Sequence, residues 1–357
     1  MFGAHRPHQQ DDHLRLFSTT HRSLELRVAR ARKYAWRQRR SRTGTEVGSY
    51  QVGQLLGSGG MGDVYAATHQ LLGRSVAIKF IRREVLIGNA EDSVFALRRF
   101  RREAMVAASL RSPHVVQLYD FGVTDDGTLY IAMELLSGIC LERLVERFGP
   151  VPPERVIYLL RQVCAALAEM HASGHAHRDV KPANIYIGRM GLEDDFIKLT
   201  DLGLVRPPRG TTAEHAALRA RGSVMGTPAF MAPEVARGEA GDGSADIYGV
   251  GCVAYWLLTA RLVFAARSAE EMLRHHVRDE PTPPSSRSEL SVPPALERLV
   301  LSCLEKKPAR RPRSAEEVRD RLAACEVGRL WTEHDARQWW DMHLPDDAET
   351  EAVASQG

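Results

Sequence analysis

Residues 175–184, with the sequence HAHRDVKPAN, bring a carboxylate, an ammonium group and a side-chain amide close together along the chain. Asp179 can accept the proton of a hydroxyl group, Lys181 can neutralise a phosphate oxygen and Asn184 can hold a metal ion. Pro182 stiffens the backbone between them. Phosphoryl transfer needs these roles, because its loose transition state depends on positioning and charge neutralisation more than on covalent help. The stretch therefore predicts a phosphotransferase; the alternative is a polar loop with a buried Arg–Asp pair.

The segment HRDVKPAN resembles the catalytic loop of the eukaryotic-like (Hanks-type) serine/threonine protein kinases, and it is most similar to the bacterial members. This resemblance implies an α+β, two-lobed protein kinase fold. A small antiparallel β-sheet with one main helix would form the N-terminal lobe, and the C-terminal lobe would be larger and mostly helical. It also implies transfer of the γ-phosphate of ATP to Ser and Thr hydroxyls of proteins, with Mg²⁺ or Mn²⁺, with autophosphorylation and a role in bacterial signal transduction. His177 is implied to support the loop rather than take part in chemistry, whereas His171 and His175 are expected to be structural.

A glycine-rich turn lies between two predicted strands, Tyr50–Leu56 and Asp63–Thr68. Its glycines fit G-x-G-x-x-G, in which missing Cβ atoms let backbone N–H groups approach phosphate oxygens. A dinucleotide-binding fold would place a helix directly after the glycines, but here a β-prone segment and a further predicted strand, Arg74–Phe80, follow. The pattern therefore predicts a hairpin that covers phosphates, with Leu56 and Val64 above the adenine. The expected nucleotide contacts in this region are Leu56, Gly57, Ser58, Gly59, Gly60, Met61, Gly62, Asp63, Val64 and Ala77.

Lys79 lies between apolar residues of the third predicted strand. A lone lysine in such a place normally faces solvent, but the hairpin before it predicts that Lys79 reaches the α and β phosphates. The next predicted helix, Asp92–Leu110, carries Glu103 on or beside its apolar face, where an unpaired carboxylate would be costly. Pairing with Lys79 would remove that cost, although Arg101 and Arg102 are competing partners.

Two more predicted strands, Val115–Tyr119 and Leu129–Leu135, complete the small sheet. By resemblance to the kinases, Met133 occupies the gatekeeper position and Glu134 to Leu136 form the hinge whose backbone binds the adenine edge. Tyr186 stands where the family usually has an aliphatic residue below the adenine, so an aromatic floor is expected to change the fit of nucleotides.

Asp201 follows a predicted strand, Phe196–Thr200, and precedes Leu202 and Gly203. A carboxylate at a strand end can present two oxygens to a hard cation that keeps most of its waters. We therefore predict Asp201 as the main Mg²⁺ ligand and Asn184 as the second. The commoner family sequence has Phe at the position of Leu202, and leucine keeps an apolar group there.

Residues 205–225 resemble an activation loop, with Thr211, Thr212 and Ser223 as hydroxyls that could be phosphorylated. Arg178 would be the partner of such a phosphate, which predicts activation by loop phosphorylation. The alternative is an unregulated surface loop.

Downstream signatures of the family supply further expected contacts. In the G-T-P signature, Thr227 is implied to hydrogen-bond near Asp179 and Lys181. In the A-P-E signature, Glu234 is implied to pair with Arg311. Asp246 is implied to be buried and to hold the backbone of the catalytic loop.

The resemblance covers residues 50–325, which we expect to form the kinase domain, with lobes at 50–136 and 137–325. Residues 1–48 are predicted to be a disordered basic tail, since they carry 11 Lys and Arg against 4 Asp and Glu. Residues 326–357 are predicted to be an appendage that docks on the large lobe, because its tryptophans are too large to be left exposed. They are Trp331, Trp339 and Trp340.

The composition bounds where the 357-residue chain, of formal net charge +3, could act. Its five cysteines are odd in number, lie far apart and form no Cys-x-x-Cys pair, which favours small core residues in a reducing cytoplasm over disulfides or a zinc site. The apolar run Ile247–Ala260 is too short for a bilayer core of about 30 Å and predicts a buried helix. With no evident secretory signal, we expect a cytoplasmic protein with no transmembrane segment. The basic tail could touch anionic lipid or nucleic acid, but a solvated leader is favoured, so no specific nucleic acid is expected.

Three hypotheses remain: an active protein kinase, a pseudokinase that binds without turnover, and a small-molecule phosphotransferase of related fold. The four polar residues Lys79, Asp179, Asn184 and Asp201 are all retained, which favours the first over the second. The segment from GTP to APE, with the helices predicted after it, favours the first over the third. Self-association for phosphorylation of one chain by another is compatible with the first.

Overall fold

The computed structural model describes residues 41–60, 62–82, 90–202 and 228–344. Within these residues the N-terminal lobe holds six strands and one helix: β1 (Glu46–Val47), β2 (Tyr50–Ser58), β3 (Gly62–His69), β4 (Ser75–Ile81), α1 (Ala90–Ser109), β5 (Leu118–Val123) and β6 (Leu129–Glu134). Strand β1 lies inside the stretch predicted to be a disordered tail. Its two residues form a strand because they pair with Tyr50 and Gln51 of β2. Residues 1–40 of the predicted tail lie outside the described residues.

The six strands form one antiparallel sheet in the order β1-β2-β3-β4-β6-β5. Side chains alternate between the two faces of a strand, so Ile78 and Phe80 of β4 pack in one apolar cluster, while Ala77 and Ile81 belong to the other. Lys79 therefore lies on the face of Ala77 and Ile81. This face also meets α1, through Phe100.

The strand predicted at Val115–Tyr119 is displaced in the structure, where β5 starts at Leu118. The residues before it pair with the other lobe: Val116 N donates to Leu199 O at 3.0 Å and Leu199 N donates to His114 O at 2.8 Å. Because these backbone groups are already bonded to Leu199, they are not available to the sheet. The segment connects the two lobes instead.

The C-terminal lobe is mainly helical. Its elements are β7 (Ile139–Cys140), α2 (Leu141–Phe148), α3 (Pro153–Ala172), β8 (Ile185–Met190), β9 (Glu193–Leu199), α4 (Pro233–Ala236), α5 (Gly243–Thr259), α6 (Ala269–Arg278), α7 (Pro294–Cys303), α8 (Ala315–Ala323) and α9 (Glu333–His343). The run Ile247–Ala260 lies in α5 as predicted, except that Ala260 caps the end of the helix, and α5 is buried along nearly its whole length between α3 and α7. Among the described helices, none combines the length and the apolar character that a bilayer crossing requires.

Strands β7, β8 and β9 form a second antiparallel sheet beside the catalytic loop. β8 starts directly after Asn184, and β9 ends two residues before Asp201. The hairpin of β8 and β9 therefore fixes the positions of both predicted metal ligands. The α+β, two-lobed architecture expected from the sequence is confirmed.

Candidate active site

The catalytic loop is held from below by Asp246 of α5. Its carboxylate accepts hydrogen bonds from the backbone N–H groups of His177, at 2.8 Å, and Arg178, at 2.6 Å. His171 of α3 adds a contact from Nε2 to the same carboxylate at 2.8 Å. Arg178 has φ +62°, a left-handed conformation that is unfavourable for arginine and needs such support. The implied role of Asp246 is thus confirmed, and His171 contributes to it.

Asp179 and Asn184 are joined by the turn of 3₁₀ helix at Pro182–Asn184. Asn184 Nδ2 donates to the Asp179 carboxylate oxygen Oδ2 at 2.9 Å and to the Asp179 backbone carbonyl at 2.8 Å. Lys181 Nζ lies 3.7 Å from the same carboxylate oxygen. These contacts orient the carboxylate and place an ammonium group beside it, where it can interact with a phosphoryl group that approaches Asp179.

Lys79 and Asp201 meet across the cleft between the lobes, with 2.5 Å between Lys79 Nζ and Asp201 Oδ1. Their side chains are only 7% and 11% exposed, so each charge depends on the other. Thr200, next to Asp201, donates its backbone N–H to Asn184 O at 2.9 Å. A continuous set of contacts thus runs from Lys79 through Asp201 and Asn184 to Asp179.

The partner of Lys79 differs from the predicted one. The sequence predicted Glu103 of α1, whereas the structure pairs Lys79 with Asp201. The physical reason is proximity: Asp201 follows β9 with φ +56°, and the carboxylate reaches the ammonium group from the opposite lobe. A single close carboxylate is enough to neutralise a nearly buried lysine.

His177 supports the loop, as implied, through its side chain as well as its backbone. Its Nε2 lies 2.8 Å from Thr200 O, and the ring is fully buried. This contact ties the catalytic loop to the segment that carries Asp201.

The glycine hairpin is formed by β2 and β3, with Gly57 opposite Val64 and Ser58 opposite Asp63. Gly59 N donates to Gly62 O at 2.9 Å, which closes the turn. A Cβ atom on Gly62 would lie 2.0 Å from the carbonyl oxygen of Phe80, so the neighbouring strand itself demands glycine there. Met61 lies outside the described residues, and Gly60 adjoins it in the turn.

The apolar residues predicted around the adenine all belong to, or pack against, one apolar core cluster that runs through both lobes. Ala77 lies opposite Ala66 on one side and Met133 on the other. Buried members of this cluster are Val64, Ala77, Met133, Leu136 and Tyr186, and Leu56 packs against it partly buried. Glu134 in the hinge forms an unpredicted ion pair, with 2.8 Å between its Oε2 and Lys198 Nζ. This pair links the hinge to β9.

The residues present fit a magnesium ion. Asn184 is fully buried, and its Oδ1 accepts no hydrogen bond from the described residues. A buried amide oxygen without a donor is costly unless a cation or water meets it. Asp201 follows Thr200, whose backbone N–H is bonded to the Asn184 carbonyl, and its carboxylate adds the second hard oxygen ligand of the kind that Mg²⁺ prefers.

Some predicted site residues fall outside the described residues. They are Met61, Thr227, Gly203 and the three candidate phosphorylation sites, Thr211, Thr212 and Ser223.

Glu234 and Arg311 form the predicted ion pair below the site. Arg311 donates through Nη1 and Nη2 to the two carboxylate oxygens of Glu234, each at 2.7 Å. Each residue is 4% exposed. The pair anchors α4 and the A-P-E segment to the loop before α8.

We expect Arg311→Met to lower the free energy of unfolding by about 3–5 kcal/mol, because it leaves the Glu234 carboxylate buried without its counter-charge. Denaturant unfolding without ligands measures this loss. The control is Arg310→Met, since the adjacent Arg310 side chain is 65% exposed and reaches Glu305 only at 4.0 Å; its effect should stay within about 0.5 kcal/mol. Equal effects of the two variants would contradict the role of the buried pair.

His276 of α6 is fully buried next to the Pro228–Phe230 segment. Its Nδ1 lies 2.7 Å from the Tyr248 hydroxyl. Burial, with a smaller effect of the nearby Lys306 ammonium, lowers the pKa of His276 from 6.5 to about 3. The imidazole is therefore neutral in the folded protein at any pH near neutrality.

This depressed pKa predicts acid sensitivity. Between pH 6.5 and 3 the unfolded chain binds a proton at His276 that the folded chain does not, so stability falls as pH falls through this range. From pH 7 to pH 5 the loss due to this group is about 2 kcal/mol. His276→Gln, measured by denaturant unfolding at both pH values, should lose less stability than wild type by about that amount. His334→Gln, on the exposed face of α9, controls for loss of an imidazole; parallel pH curves for wild type and His276→Gln would refute the prediction.

Comparison with known proteins places this site in a family. Residues 50–322 match the family described as "Protein kinase domain". The chain belongs to this family. It is 39% identical over 281 residues to the serine/threonine-protein kinase pkn3 of Myxococcus xanthus, and this match covers 78% of this chain and 50% of that protein. It is 38% identical over 284 residues to the serine/threonine-protein kinase PrkC of Bacillus subtilis, covering 79% of this chain and 41% of that protein.

Solved structures agree with the fold. The kinase domain of Mycobacterium tuberculosis PknI is 28% identical with a TM-score of 0.60, over 79% of this chain and 98% of that one. A structure of Rad53 in complex with AMP-PNP is 25% identical with a TM-score of 0.61, over 76% of this chain and 64% of that one. The chain spans half or less of the length of the curated relatives it matches.

Proposed function

We propose that this chain is a serine/threonine protein kinase that transfers the γ-phosphate of ATP to Ser and Thr hydroxyls of proteins. The observation that carries the proposal is the set of contacts that joins Lys79, Asp201, Asn184 and Asp179 below a glycine hairpin. The names of the bacterial relatives support it, since pkn3 and PrkC are both called serine/threonine-protein kinases. The AMP-PNP complex of Rad53 supports a nucleotide in the cleft.

In the proposed mechanism, the backbone of the glycine hairpin and the Lys79 ammonium bind the phosphates of ATP. Asn184 and Asp201 hold Mg²⁺, which when bound supplies positive charge to the phosphate oxygens. Asp179 accepts a hydrogen bond from the acceptor hydroxyl and orients it for in-line attack, and then takes its proton. Lys181, beside Asp179, stabilises the transferring phosphoryl group. The Lys79 ammonium must release the Asp201 carboxylate before Asp201 can hold Mg²⁺. Glu103 of α1 is the proposed second partner of the Lys79 ammonium.

The test is incubation of the full chain with γ-labelled ATP, Mg²⁺ and a generic protein acceptor, followed by phosphoamino-acid analysis. Phosphoserine or phosphothreonine on the acceptor supports the proposal. ATP binding without transfer to any protein would overturn it in favour of a binding scaffold. Mass-spectrometric mapping of the chain itself tests autophosphorylation at Thr211, Thr212 and Ser223, which we propose as well.

A further inference from the structure

The C-terminal segment, residues 331–344, lies beyond the match to the kinase family, which ends at residue 322. Its helix α9 starts with a capping box, in which Thr332 and Asp335 each accept a backbone N–H from the other. The helix packs against β9, and its Trp340 and Ala336 are 2% and 0% exposed. The segment is thus an ordered part of the large lobe.

The most telling contact of the C-terminal segment is with a buried ion pair. Asp195 of β9 and Arg155 of α3 are 0% and 2% exposed. Arg155 donates to both carboxylate oxygens of Asp195, at 2.9 and 2.7 Å. Trp331 Nε1 and Trp340 Nε1 donate to the same two oxygens, each at 2.9 Å.

The Asp195 carboxylate therefore accepts four hydrogen bonds, two from Arg155 and two from the C-terminal segment. A buried carboxylate is stable only when all its lone pairs are satisfied, because water cannot replace a missing donor. Asp195 also has φ +56°, so its backbone conformation is held by these contacts rather than by its own preference. The two indole N–H groups thus supply the donors that the buried Asp195 carboxylate needs besides Arg155.

Two further contacts extend this interface. The centroid of the Trp339 ring lies 3.9 Å from the guanidinium carbon of Arg155. The same ring packs edge-to-face against Phe148 at the end of α2. At the hairpin turn, Arg189 of β8 reaches Asp341 of α9 at 2.5 Å. The segment thus contacts α2, α3 and both strands of the hairpin.

The position of this hairpin decides the position of the metal ligands. Asn184 directly precedes β8, and Asp201 lies six residues after Asp195 on the strand that α9 contacts. Asp195 lies at the irregularity in the β8–β9 pairing between Gly188 and Met190, and the regularly paired run of β9 starts directly after it, at Phe196, and leads to Asp201. A loosened Asp195 would therefore shift or disorder the end that carries Asp201.

We propose that the C-terminal segment is a positioning element for the metal-binding end of the site: Trp331 and Trp340 fix Asp195, and the β8–β9 hairpin passes this order to Asn184 and Asp201. This inference rests on the proposed function for the role of the two ligands. It gives residues 331–344, which lie outside the matched kinase domain, a role in positioning the two metal ligands.

The test uses Trp331→Phe and Trp340→Phe, singly and together, in the full chain. Each keeps an aromatic ring and removes one N–H donor to Asp195. Met342→Leu is the control, because Met342 lies on the same helix as Trp340, is 76% exposed and makes no hydrogen bond to Asp195.

The first measurement is hydrogen exchange of the β8 and β9 amides without nucleotide. We expect exchange to be faster by about tenfold in each single variant, the factor that corresponds to losing one hydrogen bond to a buried charge, faster still in the double variant, and unchanged in the control. Exchange that changes only within α9 would overturn the proposal. Each single variant should show the effect by itself, so the result does not depend on the double variant folding.

The second measurement is ATP affinity in excess Mg²⁺ and in excess EDTA. The double variant should lose affinity by about threefold or more with Mg²⁺ and keep its affinity in EDTA, since only the metal ligands are disturbed. Equal losses in both media indicate a general loss of structure and overturn the positioning role. A wild-type chain that binds ATP but transfers no phosphate would refute the proposed function alone, because the exchange result stands without it.

Discussion

Replacing Asp179 by Asn is expected to reduce phosphoryl transfer by a factor of about 10² to 10⁴, the usual contribution of a general base, while ATP binding stays nearly unchanged. Asn retains an oxygen that can accept the hydrogen bond from Asn184 Nδ2, which is 2.9 Å long in the wild type. It also keeps the size of the side chain, so the loop bound to Asp246 is not disturbed. What is lost is the negative charge that draws the proton from the acceptor hydroxyl.

The measurement is transfer of labelled phosphate to a protein acceptor at saturating ATP, together with direct ATP binding. Asp320→Asn is the control, because the Asp320 side chain is 72% exposed and lies on α8, away from the loop. A rate for Asp179→Asn within tenfold of wild type would assign proton transfer to another group. A large loss of ATP binding would show that Asp179 acts in nucleotide positioning instead.

The parts of the site that are local in sequence could be predicted from it. Asp179, Lys181 and Asn184 fall within six positions, and a single turn of 3₁₀ helix brings two of them into contact. The glycine hairpin was also predictable, since two strands flank it and both are present within two residues of their expected bounds. In both places the chemistry follows from short-range geometry that residue types encode.

The choice of ion-pair partner could not be predicted. The helical pattern around Glu103 was the only guide to a partner for Lys79, and the sequence predicted Asp201 as a metal ligand alone. The observed partner, Asp201, lies 122 positions away in the chain. Such a pairing depends on how the lobes meet, which residue spacing does not encode.

The appendage shows the same limit. Three tryptophans indicated burial, but nothing near Asp195 marked it as their partner, because a Glu-Asp-Asp sequence is typical of an exposed turn. Likewise, the apolar residues from Val115 onward suited a strand, and their pairing with Leu199 of the other lobe displaced it. In both cases a backbone group or a charge is bonded to a residue far away in the chain. The sequence pattern then predicts the type of element but not the residue that it pairs with.

Replacing Asp201 by Asn should have two consequences that together identify its role. Transfer should fall by a factor of about 10² to 10³, because the metal-bound charge beside the phosphates is lost. Mg²⁺ should no longer strengthen ATP binding to the extent it does in wild type. Asn is the appropriate replacement, since it tolerates the φ of +56° found at this position better than Ala does.

Without nucleotide, Asp201→Asn also removes the charge opposite Lys79, whose side chain is 7% exposed. The free energy of unfolding should therefore fall by about 1–3 kcal/mol, although the amide oxygen can still accept a hydrogen bond from Nζ. Denaturant unfolding of the nucleotide-free protein measures this loss of stability. ATP titrations with Mg²⁺ and with EDTA measure the loss of the Mg²⁺ dependence of ATP binding. Asp320→Asn, which weakens an exposed contact of 3.4 Å to Arg319, should change stability by no more than about 0.5 kcal/mol. A variant that is destabilised yet keeps the full Mg²⁺ dependence of ATP binding would leave Asp201 as a partner of Lys79 only, and the metal would have to be held by Asn184 with other groups.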